Sequence, residues 1–270
     1  MSAVPMDVPA DGVQGVELGP ESVWIGAGTT HAAIRGSRLI REHVPLLALA
    51  TSVIGPPGVP DRATIGGSIA HAGAAAGYAA VALALDAEFE TNSPRGSRIV
   101  EATDYFAGPS ATVLADDEFL TGMVVPRRYD RAGYAVEEFR RSGGDSAKAG
   151  AAVVVWIDAY GRVDHCAIAL FGLAPSVVRA LGAELTVVGR HVGDICPEEV
   201  AAESIWAASG FGDQRGRTGA VVVARAWRRA VRDALYPRGA SRLPLVDTRD
   251  QRCAYLRQLP ASTDSVTPVT

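Results

Sequence analysis

The chain has 270 residues, a length for one large domain or two medium ones. It is 48% hydrophobic and 21% charged with a formal net charge of −4, a folded composition with no electrostatic attraction for nucleic acid or an anionic membrane. The start, MSAVPMDVPADG, has no basic region followed by an apolar stretch, and no run reaches the roughly 18 apolar residues of a membrane span, so a cytoplasmic location is expected.

Residues 1–20 form an N-terminal segment rich in Pro, Gly and Asp. SVWIGAG (22–28) reads as a strand, and Thr30 is the expected N-cap of one helix over HAAIRGSRLIREH (31–43). PLLALATSVIG (45–55) reads as a second helix, stopped by GPPGVP. In RATIGGSIAHAGAAAGYAA (62–80), Thr64 and Ile65 end a short strand and Gly66–Gly67 makes a turn. Ser68 then begins a small-residue helix reaching about Ala84. Small residues there allow backbone to approach another element or a ligand closely. Residues 84–94 and 95–103 read as a hairpin around Ser93-Pro94-Arg95-Gly96. DYFAGP (104–109) reads as a loop, and DEFLTGMVVPRR (117–128) as a strand closed by Pro126. An α/β lobe is placed at 21–130.

Residues 134–173 read as three antiparallel strands, the clearest being AGAAVVVWID (149–158), joined by AYGR to RVDHCAIALFG. After Pro175 the pattern turns helical: VVRALGAELTVVG, then CPEEVAAESIWAAS, then TGAVVVARAWRRAVRDALYP. Pro197, Glu198 and Glu199 suit a first helical turn. In the last helix Val223, Trp227, Val231 and Leu235 share one face, with arginines between them. This second domain is placed at 131–237, and 238–270 is a polar tail. The expected class is α+β: a lobe with a mixed sheet and helices, then a three-stranded antiparallel sheet with helices.

Cys166, Cys196 and Cys253 form no CxxC pair, and the five histidines form no HxH or HExxH. No metal site and no disulfide framework is expected. Cys166 beside His165 lies in a strand, on the opposite face, and reads as a buried structural thiol.

IGAGTT (25–30) and TIGGS (64–68) each place a glycine turn before a helix. Backbone N–H groups at such a start face an anion, and Ser68 adds a hydroxyl. Alone, such turns more often serve simple chain reversal. The order of the pieces says more. IGAGTT, GPPGVPDRATIGGSIAHA, ALDAEFE, DYFAGP, DEFLTGMVVP and EEFRRSGGDSAKAGAAVVV together resemble the FAD-binding (medium) subunit of molybdenum hydroxylases, over about residues 12 to 236. Aerobic carbon monoxide dehydrogenase and the flavin domain of xanthine dehydrogenase are of this type. RATIGGSIAHA and RRSGGDSAKAGAAV are the most specific pieces.

The resemblance implies FAD and no metal in this chain. It implies partner subunits carrying iron–sulfur clusters and molybdopterin, which feed the flavin with electrons for an external acceptor. It sets Thr64, Ile65, Gly66, Gly67 and Ser68 against the FAD phosphates and ribityl chain. Leu120 and Arg140 fall near the flavin ring, and Asp145 in the family's Gly-Asp-Tyr segment. The sequence also departs from the pattern. Residues 12–24 match the segment leading into IGAGTT, so the family's small N-terminal lobe, with its Ala-Gly-Gly-x-Ser loop, is expected to be lacking. Gly73-Ala74 and Gly77 stand where the family has Asp-Pro and an acidic residue. Ser146 replaces the tyrosine, and no Tyr-Arg pair is evident near Arg217-Thr218-Gly219. All of these weaken a diphosphate clamp. One helix terminus supplies ~1 kcal/mol, against about −8 kcal/mol for micromolar binding.

A second expectation follows from these departures: a flavin-free descendant whose cleft takes a small apolar substrate, as a cofactor-independent cyclase or isomerase. Its polar lining would be His71, Tyr78, Glu138, Arg140 and Asp145, with His71, Glu138 and Asp145 as catalytic candidates and His71 the proton carrier. A third is a non-catalytic scaffold, with Arg225, Arg228, Arg229 and Arg232 as a basic contact face or merely a solvated stripe. A homo-oligomer is compatible with each.

Overall fold

A computed structural model describes residues 13–53, 63–127, 132–142, 146–209 and 214–236. Asp145 and the tail 238–270 lie outside these described residues, as does the segment before Val13.

The first lobe opens with strands β1 (Val16–Leu18) and β2 (Ser22–Gly26). Thr30 caps α1 (His31–Gly36) as expected, its hydroxyl accepting from the Ala33 N–H at 3.1 Å. The single helix expected over 31–43 is two. Ser37 takes an extended conformation after Gly36 and caps α2 (Arg38–His43) through the Ile40 N–H. A capping serine competes with helical continuation there. Pro45 then opens α3 (Pro45–Val53).

Thr64 ends no strand. It is the N-cap of α4 (Ile65–Ala70), accepting from Gly67 N at 3.1 Å, so both glycines lie inside the first helical turn. The expected helix from Ser68 to Ala84 is also divided. Ala72, at φ +46°, turns the chain out of α4, and α5 (Gly77–Ala84) begins afresh. All eight residues of α5 are buried. It packs on α3 and on the strands of the second sheet, so its small side chains serve the approach of another element.

The hairpin forms as read, with β3 (Glu88–Ser93) and β4 (Gly96–Glu101). DYFAGP is not a loop: it contributes to α6 (Ala102–Tyr105) and to β5 (Phe106–Gly108), which pairs with β6 (Ala111–Thr112). Tyr105 and Phe106 stack around Phe89, with ring centroids 4.4 and 6.0 Å from it, and this aromatic packing orders the segment. β7 (Phe119–Pro126) returns between β2 and β3. The resulting sheet, ordered β1-β2-β7-β3-β4, is antiparallel at every pairing rather than mixed, because β7 runs opposite to both neighbours.

The second sheet contains β8 (Gly133–Phe139), β9 (Ala149–Ile157) and β10 (Val163–Phe171), the expected meander. A fourth strand, β11 (Val178–Arg179), extends it past β10. It replaces the helix start expected after Pro175, since β-branched Val178 suits the pleated edge. Then follow α7 (Leu181–Val187), a short 3₁₀ turn at Val192–Asp194, α8 (Pro197–Ser209) and α9 (Gln214–Leu235).

Alternation in β9 and β10 divides their side chains between two cores. Ala152, Val154, Ala167 and Ala169 join the core of the first lobe. Ala151, Val153, Val155, Ile168 and Leu170 pack under α8 and α9. Both faces are buried, so these strands read as nearly unbroken apolar runs. The α9 stripe is shifted from the expected one. Val222, Val223, Ala226, Trp227 and Ala230 are buried, whereas Val231 and Leu235 are half-buried. Among its exposed arginines, Arg228 pairs with Glu198, and Arg229 pairs with Glu137 at 2.7 Å, so this stripe is partly engaged within the chain. Cys166 is a buried free thiol, and burial pushes its pKa up. Cys196, before α8, is buried.

Gly133 fixes the approach of α9 to β8. A Cβ there would stand 1.9 Å from the Ala230 carbonyl oxygen and 2.4 Å from Ala234 N. Gly133→Ala is expected to lower stability by about 3 kcal/mol through this overpacking, read as a shift of the urea midpoint. An unchanged midpoint would contradict the packing.

Candidate functional site

The site is built where the two glycine turns meet. Ala27 N donates to the Thr121 carbonyl and Gly28 N to the Val13 carbonyl, which pins the IGAGTT turn against β7 and the N-terminal segment. Thr29 Oγ1 accepts from Gly15 N at 2.9 Å. The TIGGS turn docks on this one. Ile65 N donates to the Thr29 carbonyl at 3.0 Å and Gly66 N to the Ala27 carbonyl at 2.8 Å. His31 N reaches back to the Ala63 carbonyl at 2.9 Å. Gly66 is there for contact: a Cβ would lie 2.5 Å from the Ala27 Cβ. Gly67 differs. It is exposed, and a Cβ on it would meet only Thr64 Oγ1, at 3.2 Å.

A cleft of about 450 Å³ opens beside the IGAGTT turn, lined by Gln14, Gly15, Thr29, Thr30, Ala33 and Ser37 among others. Thr29 Oγ1 donates to the Gly15 carbonyl, and the Thr30 and Ser37 hydroxyls accept from backbone N–H groups, so the cleft has a polar lining.

The five turn residues are thus together, as a contiguous element with one open backbone face. Their first-turn N–H groups have internal partners. What the turn offers an anion is the field of a helix start and unobstructed approach at Gly67. The half-buried hydroxyls of Thr64 and Ser68 stand beside it. With no side chain and an exposed position, Gly67 leaves room for a phosphate beside the turn.

The remaining residues are dispersed. Leu120 is buried in β7, opposite Thr91. Arg140, just past β8, forms an ion pair with Glu138 at 2.6 Å and donates Nη2 to the Val53 carbonyl at the end of α3, 2.9 Å away. Tyr78 lies in the core, its hydroxyl donating to Thr51 Oγ1 at 3.1 Å. His71 is exposed at the C-cap of α4. Asp145 is outside the described residues. The polar lining expected for a flavin-free cyclase does not assemble: Glu138 and Arg140 are ion-paired with each other, Tyr78 is core, and His71 faces solvent. Among the described residues no cluster of three or more His, Cys, Asp or Glu could hold a metal. No helix among them is long and apolar enough to cross a membrane.

Sequence reasoning passed over His31. It is buried at the first position of α1 and touches the TIGGS turn through its ring, 3.0 Å from Ser68 Oγ. The readable signal was its place, directly after a capping threonine that follows a glycine turn. Burial holds the His31 ring below the usual histidine value; its bond to the Thr64 carbonyl opposes this, and the Arg35 charge adds to it. The folded state therefore binds fewer protons than the unfolded chain just below pH 6.5. The stability that His31 contributes is intact above about pH 6.5 and is lost as pH falls below it. The urea midpoint is expected to drop between about pH 7 and 5.5, and His31→Gln to flatten that drop. Equal drops in both proteins would remove His31 as the cause.

The fold and this turn define a class, and comparison with known proteins agrees. Residues 11–128 match the FAD binding domain in molybdopterin dehydrogenase, and residues 134–213 match the CO dehydrogenase flavoprotein C-terminal domain. The carbon monoxide dehydrogenase medium chain of Afipia carboxidovorans is 31% identical over 214 residues, 77% of this chain and 74% of that protein. The nicotine 6-hydroxylase medium subunit of Paenarthrobacter nicotinovorans is 38% identical over 182 residues, 67% of this chain and 62% of that one. A solved structure of carbon monoxide dehydrogenase from Hydrogenophaga pseudoflava, lacking the Mo-pyranopterin moiety of its molybdenum cofactor, aligns at TM-score 0.77 and 32% identity. That alignment covers 83% of this chain and 79% of that one. The chain belongs to the family of FAD-binding subunits of molybdenum-hydroxylase-type oxidoreductases. It spans 62% of the length of the nicotine hydroxylase subunit and 58% of the 6-hydroxypseudooxynicotine dehydrogenase subunit alpha from the same organism.

Proposed function

We propose that the chain is a cytoplasmic FAD-binding electron-transfer subunit working with iron–sulfur and molybdopterin subunits. The observation that carries this reading is the TIGGS turn, docked on the IGAGTT turn with Gly67 open to solvent. The turn of Thr64, Ile65, Gly66, Gly67 and Ser68 receives the phosphates and ribityl chain at its open face, Gly67, while the other four residues hold its shape. Leu120 supplies an apolar wall near the flavin ring, and Arg140 a cation whose charge Glu138 balances. Asp145 belongs to the same region by its place in the sequence. The lobe at 21–130 carries the phosphate contacts, and the domain at 131–237 closes on the ring side. FAD supplies two-electron acceptance and onward delivery to an external acceptor; the chain's residues bind and orient it.

The test is isolation of the chain, tagged, from its own cells, with flavin, iron and molybdenum measured in the purified material. All three elute with the chain on this account. A chain that elutes without flavin, iron or molybdenum overturns it.

A further inference from the structure

We propose that His31 is a positioning residue of the flavin-binding turn, fixing Ser68 and the Thr64 carbonyl and, through them, the exposed backbone at Gly67. The inference rests on the flavin reading above. His31 Nε2 lies 3.0 Å from Ser68 Oγ and 3.3 Å from the Thr64 carbonyl oxygen. Ser68 Oγ donates its own proton to that carbonyl, at 3.1 Å. A hydroxyl has one proton, so the contact from His31 needs Nε2–H as the donor and Ser68 Oγ as the acceptor. A neutral ring here is therefore the Nε2–H tautomer.

The ring is held from behind. It stands edge-on to Tyr78 at a centroid distance of 4.9 Å, and Thr51 Oγ1 accepts the Tyr78 hydroxyl at 3.1 Å. Thr51 is on α3, Tyr78 on α5, His31 on α1 and Ser68 on α4, so one chain of contacts runs through four helices to the turn. The charged or titratable groups acting on the ring are Arg35 and the Tyr78 phenol; Thr51, Thr64 and Ser68 do not titrate. Ser68 is thereby a link between His31 and the turn, its proton committed inward. The face left to a phosphate is Gly67.

The test compares FAD dissociation constants of the wild type, His31→Leu, Ser68→Ala, the double variant and His31→Gln, with folding checked by circular dichroism. His31→Leu and Ser68→Ala each weaken binding about tenfold, and the double variant is no weaker than either. His31→Gln, whose amide N–H can donate, stays within about threefold of the wild type. Nitrogen NMR of the FAD-free protein shows His31 protonated at Nε2. Wild-type affinity in His31→Leu, a hundredfold loss in the double variant, or an Nδ1–H tautomer overturns the proposal. If His31→Leu does not fold, Ser68→Ala decides: unchanged affinity overturns it. A wild type that ignores FAD sinks the flavin reading itself, whereas a wild type that binds beside an unaffected His31→Leu sinks only this inference.

Discussion

Arg179→Met is expected to lower the unfolding free energy by about 3–5 kcal/mol, the scale for stripping one partner from a buried ion pair. Arg179 leaves β11 and donates Nε to Glu184 Oε1 at 2.5 Å. Its Nη1 donates to the Leu83 carbonyl and to Asp86 Oδ1, each at 2.7 Å. Leu83 is in the last turn of α5, and its carbonyl also accepts from Asp86 N at 3.3 Å, so the guanidinium adds a charged donor at the end of that helix and matches its dipole. Arg179 thus ties the second sheet to the first lobe. Burial pushes the Glu184 carboxyl up, while Arg179 and the Ile168 N–H hold it charged. Without Arg179, Glu184 keeps one backbone donor in an apolar setting. Glu184→Gln in the same chain should recover part of the loss, because the stranded charge is gone. Guanidinium denaturation followed by fluorescence reads both. A loss below about 1 kcal/mol, the level of an exposed pair, would contradict the buried clasp.

Gly67→Asp is expected to leave the fold intact and to weaken FAD binding at least a hundredfold, about 2.7 kcal/mol. The position is helical and exposed, and the new Cβ meets only the Thr64 hydroxyl. A carboxylate in the first turn even suits the helix dipole, so stability should not fall. The same carboxylate places a negative charge and a side chain where a diphosphate needs bare backbone. Gly66→Ala is the contrast: its methyl strikes Ala27 and separates the turns, so it damages the fold first. A Gly67→Asp protein that still binds FAD with wild-type affinity would move the phosphate site elsewhere.

Much of this was legible where local signals agree with tertiary demand. The 88–101 hairpin stands out by its Ser93–Gly96 turn, and α9 by an amphipathic period whose buried stripe shifts toward Val222, Ala226 and Ala230. The two divided helices were not legible. At Ser37 a capping side chain outweighs continuing periodicity, and at Ala72 the chain turns so that α5 can be buried whole between the lobes. β11 and α6 depend on partners distant in sequence: Arg179 needs Asp86, and Tyr105 needs Phe89. The TIGGS turn was found from its glycines, but their separate duties, packing at Gly66 and openness at Gly67, require knowing where Ala27 lies. His31 was missed because a lone histidine in a helix carries no motif; its meaning comes from Ser68, 37 residues away. Glu138 and Arg140, two apart at a strand end, share a face by the pleat, so their pairing was readable in principle.

For FAD held at the Thr64–Ser68 turn, the decisive measurement is an equilibrium titration of the purified full chain with FAD, followed by quenching of flavin fluorescence. Saturable, one-to-one quenching is expected, with a dissociation constant of about micromolar order, near −8 kcal/mol. Fluorescence that falls on no saturating curve up to about 1 mM FAD, weaker than about −4 kcal/mol, would contradict it.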